Sequence, residues 1–244
     1  IGSQCYKYGA RSITSCYRTE PMAYDWPANW EEKPLLQRLE KNRAYFIDGS
    51  HKHIDAVILC TGYKHNFPFL PDELCLKTDN RLWPMNLYKG IFWESNPQMM
   101  YLGMQDQWYS FNMFDAQAWY ARDVILKRID LPDQTHMIAD SKQWQARELA
   151  LETTPQMFEF QGSYIQQLVD ATDYPSFDIP AVNDTFLNWK HDKAENIMGY
   201  RDKSYRSLMT GTQSPPHHTP WLEALDDSMA AYLGDVPTAI KSVG

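Results

Sequence analysis

The stretch DAVILCTGYKHNFPFL, residues 55–70, sets four apolar residues (Ala56, Val57, Ile58 and Leu59) and Cys60 against a turn of Thr61, Gly62 and Tyr63, followed by Phe67-Pro68-Phe69-Leu70. A short unbroken apolar run bounded by a glycine turn reads as a buried strand of an α/β sheet. Glycine at the end of such a strand lets a ligand approach the main chain closely.

Working outward, RAYFIDGSHKHIDAVILCTGY predicts a hairpin, with a strand over 43–47, a turn at Asp48-Gly49 and a second strand over 54–60. Upstream, IGSQCYKYGA reads as the end of a helix capped by Gly9, and RSITSCYRT as a short strand over 11–19 ending in a basic residue and a hydroxyl. A helix that stops at glycine and passes at once into a strand fits a doubly wound sheet. Residues 20–42, with their prolines, read as a loop with at most short helices. Downstream, residues 64–95 predict short antiparallel strands and loops, and QMMYLGM (98–104) a further buried strand. The polar turn QDQWYSFN then leads into a helix beginning near Met113, and 130–170 is amphipathic and helical, punctuated by Pro132 and Pro155. Beyond 171 the chain is irregular, with helical pieces near 184–198 and 220–233, and no internal repeat is evident.

Composition narrows the function classes. The 244 residues are 43% hydrophobic and 14% aromatic, enough for a substantial core, with no run of eighteen apolar residues to span a membrane. No apolar leader core opens the sequence, so a cytoplasmic location is expected. A net charge of −8 without a dense Lys/Arg stretch argues against nucleic acid as a partner. Four scattered cysteines form no Cys-x-x-Cys pair, and His217-His218 lacks a third ligand at a defined spacing, so no metal site is expected. Neither a Ser-His-Asp arrangement nor a Gly-x-Ser-x-Gly elbow can be read. Aromatic richness, with nine Trp and fifteen Tyr, fits a large core or a pocket for an apolar or cationic ligand. No Gly-x-Gly-x-x-Gly is present to cradle a pyrophosphate. Even so, Arg18 at a strand end suits a 2′-phosphate.

Cys60-Thr61-Gly62-Tyr63 followed by Phe67-Pro68-Phe69-Leu70 resembles the Ala-Thr-Gly motif of the flavin-containing monooxygenases, with Cys60 in place of the usual alanine. Asn80 to Gly90, Tyr101 to Ile125, DYPSFDIP (173–180) and SYRSLMTGT (204–212) are similar to the bacterial members of that family that oxygenate trimethylamine. The resemblance implies two dinucleotide-binding domains, of which this chain supplies the C-terminal parts. On that reading 1–60 completes the NADP-binding domain, 61–130 returns to the FAD-binding domain, and 131–244 is a helical and irregular extension packed on it. It implies FAD and NADPH as cofactors and conversion of trimethylamine to its N-oxide with molecular oxygen, through a flavin hydroperoxide shielded from water. The partner implied is an N-terminal portion of the same protein carrying the FAD glycine-rich loop, the assembled enzyme being a homodimer.

Residue by residue, the resemblance places Tyr17, Arg18 and Thr19 on the adenosine phosphate side of NADP, and Thr61, Gly62 and Tyr63 beside the nicotinamide. Asp106, Gln107 and Trp108 match the segment beside flavin and substrate, with Asp106 and Trp108 as the catalytic candidates and Trp108 as a pocket wall. Trp189 and Arg201 match positions that close over the cofactor. Against these stand plainer readings: a tryptophan after a strand is commonly core, and Arg201 lies in the charged run RDKSYR, typical of solvated surface. The competing function is a non-catalytic binding or regulatory module derived from a flavoprotein, which the missing glycine-rich loop favours.

Overall fold

A computed structural model describes residues 1–62, 64–76 and 81–213. The chain divides into two units, the first built mainly of Ile1–Val57 and Trp189–Ser207, the second of Ile58–Asn188 with Leu208–Thr210. Both helix and strand are present, and none of the described helices is long and apolar enough to cross a membrane.

In the first unit, helix α1 (Gly2–Lys7) ends as its sequence predicts. Gly9 takes φ +88°, its N–H donates to the Tyr6 carbonyl (2.9 Å) and the Ala10 N–H to the Cys5 carbonyl (3.0 Å), so the last turn is closed by the paired bonds of a Schellman cap. Strand β1 (Ile13–Tyr17) follows and pairs in parallel with β2 (Trp30–Pro34), in register from Ile13↔Trp30 to Tyr17↔Pro34. Strand β2 corrects the expectation of a loop over 20–42. Its proline is the last residue of the strand, where the missing N–H costs the ladder least, and Trp30 stacks on Trp26 (4.1 Å) while donating from Nε1 to Ser15 Oγ (3.0 Å). The same stretch also yields β3 (Leu36–Glu40), which joins β4 (Arg43–Phe46) and β5 (His51–His53) in an antiparallel sheet of order β3-β4-β5.

The predicted hairpin turn at Asp48-Gly49 forms, but its second strand is His51–His53 rather than 54–60. Beyond one bond from the Ile54 N–H to the Asn42 carbonyl (2.8 Å), residues 54–60 join none of the strands among the described residues, and Val57, Ile58 and Leu59 are 43%, 56% and 77% exposed. A strand needs a neighbour for its N–H and C=O groups. Without one this apolar run forms no strand and lies open.

The second unit holds a short hairpin, β6 (Leu87–Tyr88) with β7 (Phe92–Trp93), followed by helices α2 (Phe111–Ile125), α3 (Gln134–Leu149), α4 (Thr154–Asp170) and the first part of α5 (Ile179–Glu195). The expected strand over 98–104 reduces to one bridge, Phe92↔Met100, closed by two bonds, the Tyr101 N–H to the Ile91 carbonyl (2.8 Å) and the Trp93 N–H to the Met99 carbonyl (3.0 Å). Strand β7 is too short to carry more, and the Gly103 N–H is taken by the Gln117 side chain instead (2.8 Å). The expected helical piece near 220–233 lies outside the described residues.

Caps explain where the helices start. Asp133 accepts from the His136 N–H (3.0 Å) ahead of α3, and Thr153 with Gln156 forms a capping box ahead of α4, reinforced by Pro155. Apolar residues at three- and four-residue spacing on α4 (Phe160, Tyr164, Ile165, Leu168) point inward, and the core closes around Trp83, fully buried and stacked on Trp144 at 4.8 Å with Phe160 and Tyr164 at its edges. Each such side chain contributes about 1.5–3 kcal/mol by leaving water.

Candidate functional site

The polar turn that precedes α2 carries Asp106, Gln107 and Trp108. Asp106 is exposed and Trp108 half-buried, its ring edge-on to Phe158 at 4.9 Å. The turn owes its shape to the surrounding helices. Asp106 donates its N–H to the Arg81 carbonyl (2.7 Å), and Arg81 is held by a forked pair with Glu148 of α3 (Nη2 to Oε2, 2.8 Å), whose other oxygen accepts the Leu82 N–H at 3.0 Å. From α4, Gln161 donates to the Asp106 carbonyl and accepts the Trp108 N–H (2.7 Å). The Asp106 carboxylate accepts the Gln107 N–H at 3.0 Å, while the Gln107 side-chain oxygen is buried without a hydrogen-bond partner. At the exit, Ser110 sits at φ 45°, ψ −111°, a conformation that a non-glycine residue keeps only when its surroundings impose it.

Next to this turn lies a depression of roughly 230 Å³ lined by Arg81, Leu82, Asp106, Trp108, Glu148, Leu151 and Met157. The lining combines four apolar side chains with two carboxylates and a guanidinium. Such a lining can take a small molecule with an apolar body and one polar or basic atom. The sequence reading named Asp106 and Trp108 but missed Arg81, Glu148 and Gln161. An Arg and a Glu 67 positions apart leave no local signal, and a glutamine in mid-helix reads as surface.

In the first unit, Tyr17 closes β1, and Arg18 and Thr19 follow it, both exposed, at the carboxyl end of a parallel strand pair. That is where open α/β sheets receive ligands. Trp189 packs edge-on against Tyr200 (5.5 Å), with Lys193 Nζ 5.6 Å above the indole, and the Arg201 guanidinium lies 5.2 Å over the Tyr200 ring. A small polar cluster braces this segment. Asp192 accepts from Lys203 and from the Tyr205 hydroxyl (2.7 Å), and the lysine first, then the phenol, hold its carboxyl below the usual carboxylate range. Burial, then the bond to Asp192, pushes the Tyr205 phenol up to about 12.

This pairing has a signed consequence. A carboxylate with a depressed folded pKa adds stability above its unfolded pKa, about 3.9, and loses it as the pH falls through the folded value. Asp192→Asn is therefore expected to lower stability by a constant amount near neutrality, the difference from wild type shrinking below about pH 4 and vanishing only once the pH has passed below the folded value. Chemical unfolding of both proteins across pH 2–8 checks this, and a difference as large at pH 2 as near neutrality would contradict it.

Thr61 and Gly62 are exposed, Gly62 at φ +80°, and Tyr63 lies outside the described residues, as do His217 and His218. The proposed site residues thus fall in both units: Asp106, Gln107 and Trp108 are contiguous in one turn of the second, which also holds Thr61 and Gly62, while Tyr17, Arg18, Thr19, Trp189 and Arg201 belong to the first. Among the described residues, no group of three or more His, Cys, Asp or Glu is placed to hold a metal.

Comparison with known proteins fixes the family. The family model described as "Flavin-binding monooxygenase-like" matches residues 29–188. Trimethylamine monooxygenase of Roseovarius nubinhibens is 59% identical over 96% of this chain and 52% of its own length, and that of Pelagibacter ubique 50% identical over 96% and 53%. The crystal structure of Tmm from a Pelagibacter species superposes with a TM-score of 0.85 at 47% identity, covering 95% of this chain and 52% of that one. S-allyl-L-cysteine S-oxygenase of Allium sativum, 22% identical with a TM-score of 0.63 over 82% of this chain and 48% of its own, shares the fold. The chain spans about half the length of these relatives. With two thirds of its residues under one family model and this degree of identity along nearly its whole length, the chain belongs to the flavin-binding monooxygenase-like family.

Proposed function

We propose that the chain is the C-terminal portion of an NADPH- and FAD-dependent monooxygenase that converts trimethylamine, NADPH, a proton and O₂ into trimethylamine N-oxide, NADP⁺ and water. The observation that carries the reading is the 47–59% identity, spread over 95–96% of the chain, to relatives named trimethylamine monooxygenase. The remaining half of those relatives' length is where the glycine-rich FAD loop would lie. FAD, when bound, supplies two-electron reduction by NADPH and activation of O₂.

What this chain's residues would do is carried over from the family resemblance, and the placement of those that are described supports it. Arg18, with Tyr17 and Thr19 beside it, would hold the phosphate end of NADPH: an exposed guanidinium and hydroxyl beyond a parallel strand fit that group. Thr61, Gly62 and Tyr63 would border the nicotinamide, and Trp189 and Arg201 would cover the cofactor. Trp108 would wall the amine pocket and exclude water, and Asp106 would orient polar atoms beside it. An aromatic wall also suits a methylated amine, whose protonated form ring faces attract, although only the neutral form has the lone pair that accepts oxygen.

The test uses the full-length protein loaded with FAD. Trimethylamine should accelerate NADPH oxidation, with trimethylamine N-oxide detected by mass spectrometry in proportion. A flavin-loaded protein that binds NADPH but forms no N-oxide would instead be a binding module.

A further inference from the structure

Gln161 is 1% exposed in the middle of α4, where an apolar side chain would pack without a desolvation cost. Both ends of its amide are committed to the main chain of one turn: Nε2 to the Asp106 carbonyl, Oε1 to the Trp108 N–H at 2.7 Å. A second buried glutamine, Gln117 of α2, fixes the entry to the same turn. Its Oε1 accepts the Gly103 N–H (2.8 Å), and its Nε2 donates to Gln105 Oε1 (3.0 Å) and to the Tyr164 hydroxyl (2.8 Å), which donates in turn to the Lys89 carbonyl (2.7 Å). No strand or helix includes residues 103–110, so apart from the Asp106 bond to Arg81 these two side chains substitute for a backbone ladder. Gln161 grips the main chain on both sides of Gln107, fixing the direction in which the Asp106 carboxylate and the Trp108 ring leave it.

We propose that Gln161 is a positioning residue of the candidate site, acting through Asp106 and Trp108 on the fate of the oxygen rather than on the oxidation of NADPH. The proposal rests on the monooxygenase reading. With the turn held, one oxygen atom of O₂ goes to the amine and the other to water. With the turn loosened, water enters beside Trp108 and the same two electrons leave as hydrogen peroxide, NADPH + H⁺ + O₂ giving NADP⁺ + H₂O₂. NADPH consumption is the same on either route, so the effect lies in the ratio of products.

The experiment compares full-length, FAD-loaded wild type with Gln161→Met, which keeps length and removes both bonds, and Ile165→Val, which trims the fully buried neighbour one turn along α4 and leaves those bonds in place. In wild type the Trp108 amide should exchange with deuterium at least about a hundredfold more slowly than an open amide, and in Gln161→Met about tenfold or more faster than in wild type. N-oxide formed per NADPH should fall about threefold or more in Gln161→Met, peroxide making up the difference, while NADPH turnover stays within about twofold. Ile165→Val should keep the wild-type ratio. An unprotected Trp108 amide in wild type overturns the proposal without any variant, and so does an unchanged product ratio in Gln161→Met or an equal loss in Ile165→Val. Wild type that makes peroxide but no N-oxide refutes the monooxygenase reading, and with it the positioning role, while the exchange data still decide whether the grip exists.

Discussion

Arg18→Ala in the full-length protein is expected to raise KM for NADPH about ten- to a hundredfold while kcat stays within about twofold, since a charge-assisted hydrogen bond contributes about 1.5–3 kcal/mol and each 1.36 kcal/mol is a decade. Arg18 stands one residue beyond β1, exposed at the carboxyl end of a parallel pair. A group that contacts the cofactor's phosphate end equally in the ground and transition states changes KM and spares kcat. Arg18→Lys keeps the charge but loses the planar fork, and should fall between the two. Initial rates over a range of NADPH, repeated with NADH, check the assignment. An equal rise in KM for NADH, which lacks the 2′-phosphate, would place Arg18 elsewhere on the cofactor, and no change for either would leave it a solvated surface residue.

Gly90→Ala is expected to cost about 2–4 kcal/mol of stability, combining left-handed backbone strain with a displaced buried polar side chain. Gly90 takes φ +64°, and a methyl on it would come within 2.1 Å of Gln105 Nε2 and 3.2 Å of the Tyr164 hydroxyl. Gln105 cannot simply swing away, because its Oε1 holds Gln117, which in turn holds the Gly103 N–H. Gly49→Ala is the control. That residue also has positive φ, +81°, but nothing lies within 4 Å of the added carbon, so only backbone strain of about 1–2 kcal/mol is expected. Denaturant titration of the two variants separates the terms, and equal losses would mean that Gln105 has room to repack.

How much of this the sequence discloses depends on whether a feature is local. Helix α2 is legible from its apolar spacing and α4 from its apolar spacing and Pro155, signals that lie within a few residues, and the Gly9 cap and the Asp48-Gly49 turn are legible for the same reason. The run Ala56–Leu59 is misread as a paired strand because apolar composition reports what a segment needs and says nothing of whether a neighbour is there to supply it. Strand β2 is missed for the converse reason: parallel pairing with β1, thirteen residues upstream or more, overrides the loop signal of the prolines in and around it. In the site, Asp106 and Trp108 stand out in a polar turn after an apolar stretch, whereas Gln161 and Gln117 look like ordinary solvent-facing helix positions. Only tertiary packing turns them inward, and buried amides have no sequence signature of their own.

The first unit is not contiguous: it joins Ile1–Val57 to Trp189–Ser207, and within it Lys7 reaches Asp202 (3.6 Å) and Lys193 lies 5.8 Å over the Tyr24 ring. During synthesis these partners leave the ribosome 195 and 169 residues apart, whereas almost all of the second unit emerges as one uninterrupted segment. Closing so long a loop is entropically expensive until its second half exists. Topology thereby favours an order of assembly, the bulk of the helical unit being available to fold before the first unit, which waits for Trp189–Ser207.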